Sequence, residues 1–179
     1  TTQGSAVATP YAGDTVTATA SLTIDQDCPD PAAFAPTLEL STSTTQAGAD
    51  TALTTIVKVP SGNQDLASLD VTMPRGLLGR LTAVPLCPLD RAEAGTCGDE
   101  SLVGTVNAKV GVSSAPYTVK GRVYMTAGSG DAIAGLAFVL PAVVGPIDLG
   151  NVVTLSQLRI AGPDLLLKIT ADKIPTQVK

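Results

Sequence analysis

The chain has no histidine, no tryptophan, and only three tyrosines and two phenylalanines in 179 residues. Without histidine, the usual general base and the commonest metal ligand are both missing, so a Ser–His–Asp or Cys–His nucleophile cannot be assembled. No GxSxG elbow stands in its place. A zinc site wants four thiolate or imidazole ligands, and three cysteines cannot supply them. Basic residues are scarce as well: 11 Lys and Arg face 16 Asp and Glu, a net charge of −5. Phosphate backbones and anionic membrane surfaces call for clustered cations, so neither nucleic acid nor a lipid surface suits this chain. A partner with cationic patches suits it better.

Long apolar runs are missing too. The longest uncharged stretch, Ala132 to Ile147, is 16 residues and is interrupted by Gly135, Pro141, Gly145 and Pro146. That is too short and too broken for a membrane span; it reads as a buried strand, a bend and a turn. The opening TTQGSAVATPYAG has no Met, basic region or apolar core, and is read as a mature terminus left by signal cleavage.

What is present points to β-structure. The composition is 44% hydrophobic, which excludes disorder, but only 15% charged, which disfavours helical bundles with their long charged faces. Seventeen Gly and 13 Pro break the chain into short Thr- and Val-rich runs. Residues 1–13 read as a flexible arm. In DTVTATASLTI, Val16, Ala18, Ala20, Leu22 and Ile24 alternate with Thr and Ser, predicting a strand over 14–24. DCPDPAAFAP (27–36) is a Pro-rich linker. TLELSTST and DTALTTIVKV form a strand pair around the turn QAGA, and LASLDVTM, SLVGTVNAKVGV, YTVKGRVYMT, IAGLAFVLPAVV, VVTLSQLRI and LLLKITA follow at sandwich-like spacing. The expectation is an all-β antiparallel β-sandwich, immunoglobulin-like or Greek-key in type, with about nine strands and one short helical turn near 88–95. Its parts are an N-terminal arm and strand, 1–26, and a sandwich domain, 27–179. Leu136, Phe138 and Leu140 are expected to face the core, with Pro141 ending regular pairing.

Cys87 and Cys97 bracket CPLDRAEAGTC, with Asp90 near the start of a helical turn and Gly95 at its end. A redox pair would prefer CxxC spacing, so a Cys87–Cys97 disulfide is predicted, worth roughly 2.8 kcal/mol and indicating an oxidising compartment. Cys28 is then left over: free and buried, or bonded to another chain or segment.

Other candidate sites have plain explanations. Asp50, Asp65, Asp131 and Asp164 fall in turns, which accounts for them without a carboxylate pair for glycoside hydrolysis. Asp25, Asp27 and Asp30, or Asp99 and Glu100, are each too few for calcium. GSGDAIAG lacks the Lys-Ser/Thr of a phosphate loop and reads as a hairpin loop. Tyr124 and Phe138 are expected in the core, leaving Tyr11, Tyr117 and Phe34 as thin support for sugar stacking. No enzyme, cofactor or metal is expected.

From FAPTLELSTSTTQAGADTALTTIVKV, through MPRGLLGRL, PLCP, GTC and GTV, to GRVYMT and LAFVLPAVVGPIDLGNVV, residues 28–177 resemble modules of large secreted or cell-surface proteins of actinobacteria. The resemblance implies a location and module boundaries and transfers no catalytic residue. In such modules a further alternating strand follows and a cysteine lies near the end; this chain reaches Lys179 without either. The implied reading is a non-catalytic structural subunit or module of an extracellular or cell-surface assembly, its partners being copies of itself or other surface proteins. A filament built by donor-strand exchange would use residues 14–24, with Cys28 at the junction; pairing of 14–24 within its own chain is the alternative. The competing function is an adhesin-like or glycan-binding module, which an exposed aromatic cluster around Tyr117 would favour.

Overall fold

The computed structural model describes residues 2–9, 11, 13, 15–23, 34–60, 62–110, 116–144, 147–162 and 165–175. The chain divides into two compact units, Thr1–Gln64 and Asp65–Lys179. The expected boundary at 26/27, together with Ile24 and Cys28, lies outside the described residues.

The first unit holds two two-stranded antiparallel sheets. In one, β1 (Thr2–Ala8) pairs with β2 (Val16–Leu22), from Thr2 opposite Leu22 to Ala8 opposite Val16. The stretch expected as a flexible arm is therefore in part a strand. Val7 is that strand's one large apolar side chain, too little to announce a strand, and β2 supplies its pairing. In the other sheet, β3 (Thr37–Thr42) pairs with β4 (Leu53–Lys58), as the alternation of TLELST and LTTIVK predicts. Their connection closes through hydrogen bonds from Ser43 N to Ala52 O (3.0 Å) and from Ala52 N to Ser43 Oγ (2.9 Å). Glu39 and Lys58 form an ion pair near its open end. No residue of this unit whose exposure is described is buried.

The second unit is a six-stranded antiparallel sheet in the order β5-β10-β9-β8-β7-β6. Its strands are β5 (Leu69–Thr72), β6 (Leu102–Val110), β7 (Tyr117–Thr126), β8 (Ala134–Val144), β9 (Ile147–Ala161) and β10 (Leu166–Ala171). The last five form a meander, each pairing antiparallel with the next. β5 pairs with β10 at the far edge, so the segment between β5 and β6 connects opposite edges of the sheet. That segment carries the single short helix, α1 (Leu89–Glu93), and one 3₁₀ turn, Asp99–Ser101. The fold is all-β and antiparallel, with ten strands among the described residues where about nine were expected. No helix among them is long and apolar enough to cross a membrane.

Each face of the sheet has its own cluster of buried residues. On one, Val71, Met73, Ala134, Leu158 and Leu167 pack together beneath Leu77 and Leu81 of the segment following β5. On the other, Tyr124, Ala137 and Val139 pack against Cys87 and Ala92 of the helical excursion. This corrects one expectation. Leu136, Phe138 and Leu140 do share a face, but they are half-buried, whereas Ala137 and Val139 on the opposite face are buried. The reason is cover: the disulfide-bracketed excursion lies on the Ala137 side, while only Leu136 of the other three meets the Leu158 cluster. Pro141 ends regular pairing as expected. The ladder with β7 stops at Val139, and that with β9 is interrupted by a bulge between Pro141 and Val143. Gly121 marks a close approach, since a Cβ there would collide with the Val139 carbonyl oxygen and with Leu140.

Candidate functional site

The best-built feature outside the sheet is the bracketed excursion. Cys87 and Cys97 are disulfide-bonded, with Cα atoms 5.7 Å apart. Between them Pro88 precedes α1 with its φ already at −58°, and Gly95 leaves the helix at φ +67°. The exit is secured by Thr96 N donating to Arg91 O (2.9 Å) and by the Arg91 guanidinium donating back to Thr96 O (2.9 Å). Three ties hold the excursion to the sheet and the end of β7: Cys87 N donates to Met125 O (2.8 Å), Ala127 N donates to Cys87 O (3.4 Å), and Asn151 Nδ2 donates to Gly95 O (3.3 Å). With its own Cys87 and Ala92 buried against Tyr124, Ala137 and Val139, this element caps that face of the sheet.

Beside the cap lies an open groove of about 460 Å³, floored by Val153 and Leu155 and lined by Glu93, Gln157, Arg159, Thr170 and Lys173. Of its two cations, Arg159 is engaged: its Nε donates to Asp131 (2.7 Å) and its Nη1 to Thr170 Oγ1 (3.0 Å). Hydrogen bonding from Arg159 holds the Asp131 carboxyl below its ordinary pKa. Asp131 is thus stabilised as a carboxylate, the reverse of what a proton-donating acid needs. Asp131 and Gly130 sit in the β7–β8 turn, where GSGDAIAG serves as the expected hairpin loop, tied by Ser129 N to Gln157 Oε1 (3.0 Å).

The remaining acidic candidates do not converge. Asp99 forms an ion pair with Arg122, whose own pKa is held above its ordinary value by hydrogen bonding with Tyr124 and by the Asp99 charge. No group of three or more potential metal ligands occurs among the described residues. Asp25, Asp27 and Asp30 lie outside them. Tyr117 is 61% exposed and lines a second, shallow groove of about 240 Å³ with Val119, Lys120, Pro141 and Val143.

The alternating segment that sequence reading singled out is β2. Val16, Ala18 and Ala20 stand opposite Ala8, Ala6 and Gly4, so one side of the β1–β2 hairpin consists of small apolar positions, while the other carries Thr17, Thr19 and Ser21 opposite Val7, Ser5 and Gln3. Val16, Ala18 and Ala20 are all exposed, Val16 at 64%. β2 has β1 on one edge and no described strand on the other, and β6 likewise pairs only with β7. Sequence reading did not find β6 as an open edge, because strand order is not written in alternation. Charge is divided between the units as well. Lys58 is the only base of the first unit, against six acidic residues, so that unit carries the whole net charge of −5; the second has ten of each sign.

No protein-family model, curated protein or solved structure matches the chain.

Proposed function

We propose that the chain is a non-catalytic structural module of an extracellular or cell-surface assembly, and that it self-associates through its N-terminal strands. The observation that carries this reading is the β1–β2 hairpin: seven residue pairs long, with Ser5, Ala6, Val7 and residues 16–21 all exposed. A two-stranded hairpin alone in water is marginal, and it gains most by adding to another sheet. Donor-strand exchange in this form delivers a hairpin, with β2 already partnered by β1. The disulfide supports an oxidising location. The resemblance to modules of actinobacterial surface proteins supports the same location.

Electron microscopy and sedimentation of the full chain test the reading. Filaments, lattices or concentration-dependent oligomers are the expected result; a monodisperse monomer at every concentration ends it. A second reading, a glycan-binding or adhesin-like module, draws on exposed Tyr117 beside Lys120. It is the weaker one, because no second aromatic residue lines that groove. Loss of surface binding in Tyr117→Ala, with assembly intact, would favour it.

A further inference from the structure

We propose that the outer edge of β6 is the acceptor for β2 of a second copy of this chain. This rests on the self-association reading and names where it takes place. Both strands have one edge unoccupied by any described strand, and seven residues of β2 meet nine of β6. Open edges of this length expose a row of backbone donors and acceptors that another strand can satisfy.

The faces match in one register class. Along β6, Gly104, Val106, Ala108 and Val110 share the half-buried apolar face, while Thr105, Asn107 and Lys109 are exposed on the other. Along β2, the Val16, Ala18 and Ala20 series alternates with Thr17, Thr19 and Ser21. Aligning apolar with apolar extends both faces of the sheet by two strands; a one-residue slip would put Thr onto the apolar side throughout.

Charge selects the partner. Cross-strand pairing of Lys109 with Thr118, of Asn107 with Lys120, and of Thr105 with Arg122 gathers three cations on one face at this corner. Asp99 engages Arg122, whereas Lys109 and Lys120 have no ion pair with a described residue. A lysine beside an open edge repels indiscriminate strand addition, but it favours an acidic donor. The first unit is that donor, with six acids and one base. Antiparallel addition brings the start of β2 to the Lys109 end of β6. The hairpin of one copy thus joins the sheet of the next, a head-to-tail contact whose repetition without closure yields a filament.

Two single-sided variants of the full chain test this. Ala18→Pro disables the donor strand. Lys109→Glu with Lys120→Glu disables the acceptor while altering only exposed side chains. Each alone should associate at least tenfold more weakly than the wild type, and an equal mixture should form one-to-one dimers that grow no further. In wild-type assemblies, hydrogen exchange at residues 102–110 should slow at least tenfold relative to dilute monomer. Oligomers in which residues 102–110 exchange as fast as in monomer, or an acceptor variant that assembles with wild-type strength, overturn the acceptor assignment and leave self-association standing. A wild-type chain that stays monomeric overturns both.

Discussion

Leu158 in the second unit and Leu38 in the first both lie on alternating antiparallel strands, yet Leu158 is 4% exposed and Leu38 48%. Leu158 has Val71, Met73, Ala134 and Leu167 around it because several strands of the sheet and the segment after β5 meet there. Leu38 stands opposite Val57 in a two-stranded sheet, where both faces are open to solvent. Strand propensity is therefore satisfied in both units, and burial in only one. A strand is as stable as the surface it covers, so a unit of hairpins is the part of the chain disposed to find cover elsewhere.

The largest test of this contrast is a matched pair of truncations. Leu158→Ala should destabilise the second unit by about 3 kcal/mol, whereas Leu38→Ala should cost less than about 1 kcal/mol. Chemical denaturation of each variant measures both, and equal losses would erase the distinction. Next in size is the disulfide. Reducing Cys87–Cys97 should lower the stability of the second unit by about 2.8 kcal/mol through the freed loop. The β3–β4 amides should not change their exchange rates, and a global loss of protection would mean that the two units share one cooperative transition.

Phe138 offers a finer measurement. Half-buried on the less covered face, it should cost about 1–2 kcal/mol when replaced by Ala, below the value for a fully buried ring. A loss above about 3 kcal/mol would show that this face is covered as completely as the Ala137 face. The smallest effect is electrostatic. Because the fold depresses the Asp131 pKa, its contribution is present above the ordinary carboxylate range and is lost as pH falls through the folded-state value. Carboxyl NMR should find Asp131 titrating below a reference aspartate, and Arg159→Met should return it to the ordinary range. An unchanged midpoint in that variant would remove Arg159 as the cause.

Much of the fold was legible because its signals are local. The β3–β4 pair and its turn, the β7–β8 hairpin loop and the helical turn between the cysteines each follow from alternation, glycine placement or spacing within about a dozen residues. β1 was missed because Gly4, Ser5, Ala6 and Ala8 carry little apolar contrast, and its order comes from β2 across the hairpin. The weighting of Phe138 over Val139 was misjudged because both alternate equally well; a distant segment, the Cys87–Cys97 excursion, decides which face is buried. The candidate site was half legible: β2 could be read from its own residues, whereas the β6 edge and its lysines could not.

Composition and local pattern alone determined that this chain is all-β, that histidine-dependent chemistry is closed to it, that Cys87 and Cys97 are spaced to bond, and that negative charge gathers in its first third. Those properties depend on residue type and short-range geometry. Strand order, the position of β5 beyond β10, the open edge of β6 and the sheet face that receives the disulfide cap were decided only in the tertiary structure. They depend on which distant segments exclude water from one another, and no alternation within a single strand encodes that.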